Sequence, residues 1–256
     1  MRMAGIDRLK YNLKIARDIM LLKVALNGTR TPADHPAIPM TPAQQAREAK
    51  LAVAAGAGAV HVHVRNAEGK ESLAPGDLTA ALQAIRAACP GVPVGISTGE
   101  WIVPDVQERL ALIRAWNVLP DFVSVNMDEP GAVEVAKLLW EKGVGVEAGV
   151  WDAKAGEILL ESGLAGRCLR VLIEPGEEPE APATILEIEA VLDKMGTPLP
   201  RLLHGSGATA WEFIKLAAER GYDTRVGFED VLTLPDGAYA ESNAALVAAA
   251  KRIISG

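Results

Sequence analysis

Short runs of Val, Ile and Leu alternate along this chain with longer stretches rich in Ala, Leu and Glu. The short runs, bounded by Gly and Pro, read as strands. The longer ones read as helices. A first strand is expected over Leu21–Leu26. A Pro-rich loop follows, and TPAQQAREAKLAVAAG reads as a helix with Thr41 as N-cap, Pro42 at the first position and Gly56 at its end. Further strands are expected over Ala59–Val64, Val94–Ser97, Phe122–Val125, Val144–Val150, Cys168–Ile173, Arg201–His204 and Thr224–Phe228. The helices between and after them fall over Gly76–Ala88, Pro104–Trp116, Pro130–Lys142, Ala153–Ser162, Ala183–Lys194, Thr209–Arg220 and Asn243–Ile254.

Strict alternation implies a parallel sheet. Eight strand–helix units in 256 residues predict an α/β fold, a (β/α)8 TIM barrel, with a doubly wound open sheet as the alternative. No linker or composition break divides the chain, so residues 1–256 are expected to form one barrel domain. The N-terminal segment is basic, with Arg2, Arg8, Lys10, Lys14 and Arg17. It lacks the apolar region and cleavage site of a secretory signal, and Asp7 and Asp18 argue against a transit peptide. It reads as an amphipathic helix ahead of the first strand.

Composition narrows the partners. The net charge is −7 and no Lys/Arg-rich block appears, which argues against nucleic acid. No apolar run approaches the ~18 residues of a membrane span. Cys89 and Cys168 have neither metal-type nor disulfide-type spacing, which fits a reducing, cytoplasmic setting.

In a barrel, active sites lie at the C-terminal ends of the strands. Two of the four histidines, His61 and His63, sit together in AVHVHVR at the end of the second strand. Side chains two apart on a strand share a face, roughly 6–7 Å apart, so both imidazoles can reach one metal ion. The competing reading is one packed and one solvent-facing imidazole. A third ligand would be His204 or a carboxylate. In TRVGFED, Arg225, Gly227 and Glu229 share one face, while Val226 and Phe228 face the helices. Glu229 is therefore the chosen third ligand, and Gly227 is expected to leave room for a ligand or metal. Asp230 can turn back onto Arg225, as an active pair or as a structural ion pair at the rim.

Other strand ends carry weaker signals. Ser97, Thr98 and Gly99 offer hydroxyls and backbone N–H groups, or a plain helix-entry turn. Ser124 and Asn126 have similar weight. In HGSGAT, Gly205, Ser206 and Gly207 open a helix, a place that favours anions, although a plain tight turn is equally consistent. His204 reads as a hydrogen-bonding residue rather than a fourth ligand.

Taken in order, ALNGTR, HPAIPMTP, AGAGAVHVHVR, STGE, LHGSG and RVGFED resemble the β-keto acid cleavage enzymes. The HVHVR and RVGFED segments are the specific part. The resemblance implies a zinc-bearing barrel, a homo-oligomer (tetramer or dimer), with His61, His63 and Glu229 as metal ligands, Arg225 and Asp230 as the catalytic pair and Ser97 as a catalytic serine. It implies acetyl-CoA as co-substrate and acetoacetate plus a new acyl-CoA as products. The glycines and N–H groups of His204–Thr209 are expected to take CoA phosphate. Where the branch acting on aminated substrates carries an acid, this chain has Arg30, so an anionic or neutral polar substrate tail is expected.

Two rivals remain. An amidohydrolase-type zinc enzyme also uses His-x-His in a barrel, but it needs further histidines after strands five and six. Here those ends carry Trp151, Asp152, Glu174 and Pro175. A non-catalytic barrel that binds a metal or metabolite is the other.

Overall fold

Gly and Pro punctuate the chain where strands give way to helices, and the elements follow that punctuation. The structure is a computed structural model that describes residues 20–194, 196 and 199–256. The strands are β1 (Leu22–Ala25), β2 (Ala59–Val62), β3 (Val94–Ser97), β4 (Phe122–Asn126), β5 (Gly145–Val150), β6 (Arg170–Ile173), β7 (Arg201–Leu203) and β8 (Asp223–Val226). They form a closed parallel barrel in chain order. Pairing of Lys23 with Arg225 and of Val24 with Val226 joins β1 to β8 and rules out the open sheet. The described helices are α1 (Pro42–Ala55), α2 (Pro75–Ala88), α3 (Val106–Ala115), α4 (Ala132–Glu141), α5 (Ala153–Glu161), α6 (Ala181–Asp193), α7 (Ala210–Arg220) and α8 (Asn243–Ser255). The helix expected ahead of β1 lies outside the described residues. None of the described helices is long and apolar enough to cross a membrane.

The start of α1 shows local sequence setting an element. The Thr41 hydroxyl accepts the Gln44 N–H, and the Gln44 side-chain oxygen accepts the Thr41 N–H at 3.0 Å. This reciprocal cap satisfies two donors that a helix start leaves open. Pro42 needs no donor at that position, and Gly56 ends the helix at a φ of 121°.

Strand parity sorts the side chains. Leu22, Val24, Val60, Val62, Val171, Ile173 and Val226 face outward and pack under the helices in the main core. Inside the barrel, Ala59, Phe122 and Leu169 form an apolar floor. A charged layer lies above it. Lys23 Nζ is 2.6 Å from Glu147 Oε2, Glu147 Oε1 is 3.2 Å from Arg170 Nε, and Arg170 Nη1 is 2.7 Å from Asp223 Oδ2. Two cations thus meet two anions, so the layer is close to neutral and each buried charge has a partner. The mouth of the barrel sits on top of this layer.

Two strands stop two residues earlier than their apolar pattern suggests. Beyond Val62, the His63 N–H bonds to Asn27 Oδ1 at 2.9 Å. The His63 carbonyl accepts from Asn27 Nδ2 and Gln45 Nε2. Beyond Val226, the Phe228 N–H bonds to Asn243 Oδ1 at 2.8 Å. Buried amide side chains replace sheet partners at both ends, so the backbone stays satisfied while the chain turns.

Candidate active site

His61 and His63 stand at the end of β2, and their rings meet edge to face with centroids 5.3 Å apart. Glu229, just past β8, faces both. Its Oε2 is 3.6 Å from His61 Nε2 and its Oε1 is 3.4 Å from His63 Nε2. The potential ligand atoms of His61, His63 and Glu229 all lie within 4.8 Å of one another. Glu229 Oε2 is buried and has no hydrogen-bond partner among the described residues. A carboxylate oxygen so placed, opposite two imidazole nitrogens, fits a cation. Two His and one carboxylate suit zinc and leave a coordination position open. His204 is outside this group.

Burial alone would lower both histidines. It prevails at His61, held well below the ordinary value. At His63 the negative charges of Glu229 and Glu71 overcome burial and raise the ring to about 9. Glu71 bonds His63 Nδ1 through one oxygen and accepts the Trp101 indole N–H at 3.1 Å through the other. The sequence reading did not single out Glu71. It returns to His63 through a turn closed by the Arg65–Glu71 bridge, and the Asn66–Gly69 turn signal was the available clue.

Arg225 and Asp230 meet as the strand phase suggests. Asp230 Oδ1 accepts from Arg225 Nη2 at 2.7 Å and from Nε at 3.1 Å. Arg225 Nη2 also reaches Glu229 Oε1 at 2.8 Å. Both guanidinium bonds fall on one oxygen of Asp230. Its Oδ2 is buried and unpartnered among the described residues. Burial raises the Asp230 carboxyl against the pull of Arg225. Arg225 is itself lifted above its ordinary value, since Asp230 and Glu229 outweigh the cost of burial.

Gly227 has a different duty from the one expected. A Cβ there would fall 1.9 Å from the Ala25 carbonyl oxygen. The space belongs to the backbone of β1, and the missing side chain lets the barrel close.

The remaining candidates divide. Ser97, Ser124, Asn126, Gly205 and Ser206 line a cavity of about 200 Å³ shared with the His–Glu group. Ser97 Oγ accepts the Gly99 N–H at 3.2 Å, which leaves its own proton free to donate. Thr98 Oγ1 donates to the Ser124 carbonyl at 2.9 Å. Thr98, Gly99, Gly207 and Arg30 do not line the cavity. Arg30 Nε donates to the Glu229 carbonyl at 3.4 Å instead. In the turn after β7, the N–H groups of His204, Ser206, Gly207 and Thr209 bond to Ile173 O, Thr209 Oγ1, Asp230 O and Ser206 O. Those donors are engaged within the protein, which weakens the case for a phosphate there.

Glu174 follows β6, and no motif in the sequence marks it as a site residue. Its Oε2 lies 2.9 Å from His204 Nε2. Burial pushes Glu174 up to about 7 and His204 down to about 3. Trp101 and Trp151, 47% and 43% exposed, form part of the rim.

A parallel barrel whose strand ends gather two imidazoles, a facing carboxylate and a buried Asp–Arg pair is an enzyme scaffold with a candidate metal centre. The chain belongs to the β-keto acid cleavage enzyme family, whose sequence profile matches residues 20–256, and so stands among enzymes that cleave a carbon–carbon bond. It is 28% identical over 243 residues to the 3-keto-5-aminohexanoate cleavage enzyme of Fusobacterium nucleatum, covering 89% of this chain and 88% of that one. A shorter stretch of 80 residues is 36% identical to the 3-oxoadipate:acetyl-CoA acetyltransferase of Cupriavidus necator, covering 31% of this chain and 28% of that one. Among solved structures, the 3-dehydroquinate dehydratase of Aquifex aeolicus VF5 superposes with a TM-score of 0.56 at 13% identity. That match covers 91% of this chain and 97% of the other, and shows the shared barrel fold alone.

Proposed function

We propose that this protein is a zinc-dependent β-keto acid cleavage enzyme. It condenses a β-keto acid with acetyl-CoA and yields acetoacetate and a new acyl-CoA. The observation that carries this reading is the convergence of His61, His63 and Glu229 in a cavity lined also by Asp230, whose Oδ2 has no partner among the described residues. The acetyl donor is the one printed in the name of the Cupriavidus relative.

Zinc held by His61, His63 and Glu229 would supply a Lewis acid for the ketone and carboxylate oxygens of a β-keto acid, acidifying the carbon between them. Asp230 Oδ2 is the base that takes that proton, because its other oxygen is held by Arg225. Arg225 stays charged and orients Asp230, since its two carboxylate neighbours hold its proton on. The carbanion attacks the thioester carbonyl of acetyl-CoA and expels CoA thiolate. The thiolate adds to the original ketone carbon, and the bond from that carbon to the former carbanion breaks. The electron pair leaves with acetoacetate, which takes the proton back from Asp230. Ser97 Oγ donates to the oxyanion that forms on a carbonyl in the cavity.

The test is carbon-13 acetyl-CoA with an unlabelled β-keto acid. Transfer by this route puts both acetyl carbons into the ketone half of acetoacetate and none into the new acyl-CoA. Acetoacetate without label, or acid release that ignores CoA, contradicts it.

A further inference from the structure

The wall opposite the His–Glu group has a polar feature that the reaction above does not use. In an eight-strand ring β6 lies across from β2, so Glu174 faces the site from the side away from His61. Glu174 is 6% exposed. Its Oε2 is engaged by His204, and Oε1 accepts no hydrogen bond from the described residues. Asn126, at the end of β4, donates Nδ2 to Glu129 Oε1 at 2.7 Å. That bond fixes the amide and turns Oδ1 the other way. Both free oxygens lean over Gly149 of β5. A Cβ at Gly149 would fall 2.4 Å from Glu174 Oε1 and 2.6 Å from Asn126 Oδ1. The missing side chain at Gly149 therefore lets the two acceptors, both of which line the cavity, close in on one point of the strand.

We infer that Glu174 Oε1 and Asn126 Oδ1 form a subsite for a hydrogen-bond donor, a hydroxyl or ammonium, on the distal tail of the β-keto acid. This rests on the β-keto acid reading and adds the tail chemistry to it. The subsite keeps its character in either protonation state of the Glu174–His204 pair. Whether Oε2 carries the proton or accepts one from His204, Oε1 remains an acceptor. An alkyl tail would bury both oxygens without a donor, and a carboxylate tail would set oxygen against oxygen. No Lys lines the cavity, and its Arg225 is already held by Asp230 and Glu229. A site built around hydrogen bonding rejects an analogue lacking the donor far more strongly than an apolar pocket rejects an extra group. Of the two tails expected from Arg30, the anionic one is disfavoured and the neutral polar one fits when it carries a hydroxyl.

The experiment is calorimetric binding to the zinc-loaded protein, without acetyl-CoA, of matched β-keto acids whose tails end in methyl, hydroxyl, ammonium or carboxylate. Turnover with acetyl-CoA is followed in parallel. A donor-bearing tail should bind at least ~10-fold tighter than the methyl and carboxylate tails. Gly149→Ala, whose methyl would push both acceptors out of place, should erase that preference. Glu174→Gln should weaken an ammonium tail selectively if charge is read, and spare a hydroxyl tail if only the acceptor is read. Tightest binding by the carboxylate or methyl tail, or a preference that survives Gly149→Ala, overturns the subsite. Absence of binding by every tail overturns it as well. If the donor preference holds but no acetoacetate forms, the subsite stands and the proposed reaction falls.

Discussion

Glu71 Oε1 lies 2.5 Å from His63 Nδ1 while Glu229 Oε1 faces Nε2 of the same ring at 3.4 Å, so one imidazole is held between two carboxylates. The outer carboxylate fixes the ring's orientation and raises the basicity of the inner nitrogen. Partners of this kind are typically worth 10–100-fold in metal affinity. Glu71→Ala should keep the fold and lower zinc affinity by about that factor, read by competition with a chelating dye. Unchanged affinity would remove Glu71 from the metal centre.

Glu229 and Asp230 are neighbours in sequence with separate duties. Glu229→Gln should lose zinc and turnover together. Asp230→Asn should keep zinc and lower kcat by about 10²–10⁴-fold, the usual worth of a positioned base. Metal analysis beside steady-state rates separates the two. Full activity in Asp230→Asn would contradict the assigned base.

Glu174 and His204 should cancel in the pH dependence of stability. Glu174 is raised from 4.5 to about 7, so its contribution is complete below 4.5 and is lost as pH rises through 7. His204 is lowered from 6.5 to about 3, so its contribution is present above 6.5 and is lost as pH falls toward 3. Between 4.5 and 6.5 the two slopes oppose each other. Glu174→Gln removes one of them. Denaturant titrations across that window should show the variant gaining stability with rising pH, relative to the parent, by about 1 kcal/mol per pH unit. Parallel pH profiles would contradict the two opposed shifts.

Gly227→Ala should damage the fold rather than the chemistry. Its methyl would collide with the Ala25 backbone, which cannot swing aside as a side chain can. A loss above about 3 kcal/mol is expected, beyond ordinary overpacking. A lowered Tm or loss of soluble protein would register it, and a parent-like Tm would contradict the close approach.

Much of this architecture is legible in the sequence because each strand is a short apolar run and each helix carries a periodic face. The run Val94–Ser97 coincides with β3 residue for residue. The apolar runs around His63 and Phe228 overshoot their strands, because Asn27 and Asn243 supply the backbone partners there from far along the chain. The pairing of Arg225 with Asp230 could be anticipated from alternation along one strand. Glu71 could not, since a loop carries it back to His63. Lys23, Glu147 and Arg170 sit in apolar strands where only the closed barrel shows that their charges meet. Gly227 shows the limit of parity: it marks a missing side chain, and only the three-dimensional neighbour says what fills the space.

The measurement that bears most directly on the metal-dependent β-keto acid reading is acetoacetate release from a β-keto acid and acetyl-CoA as zinc is titrated into metal-free protein, with Glu229→Gln alongside. The expected result is a rate that climbs and levels at one zinc per chain, with no rate and no tight zinc in the variant. A rate independent of zinc, or a variant that binds zinc and turns over like the parent, would contradict it.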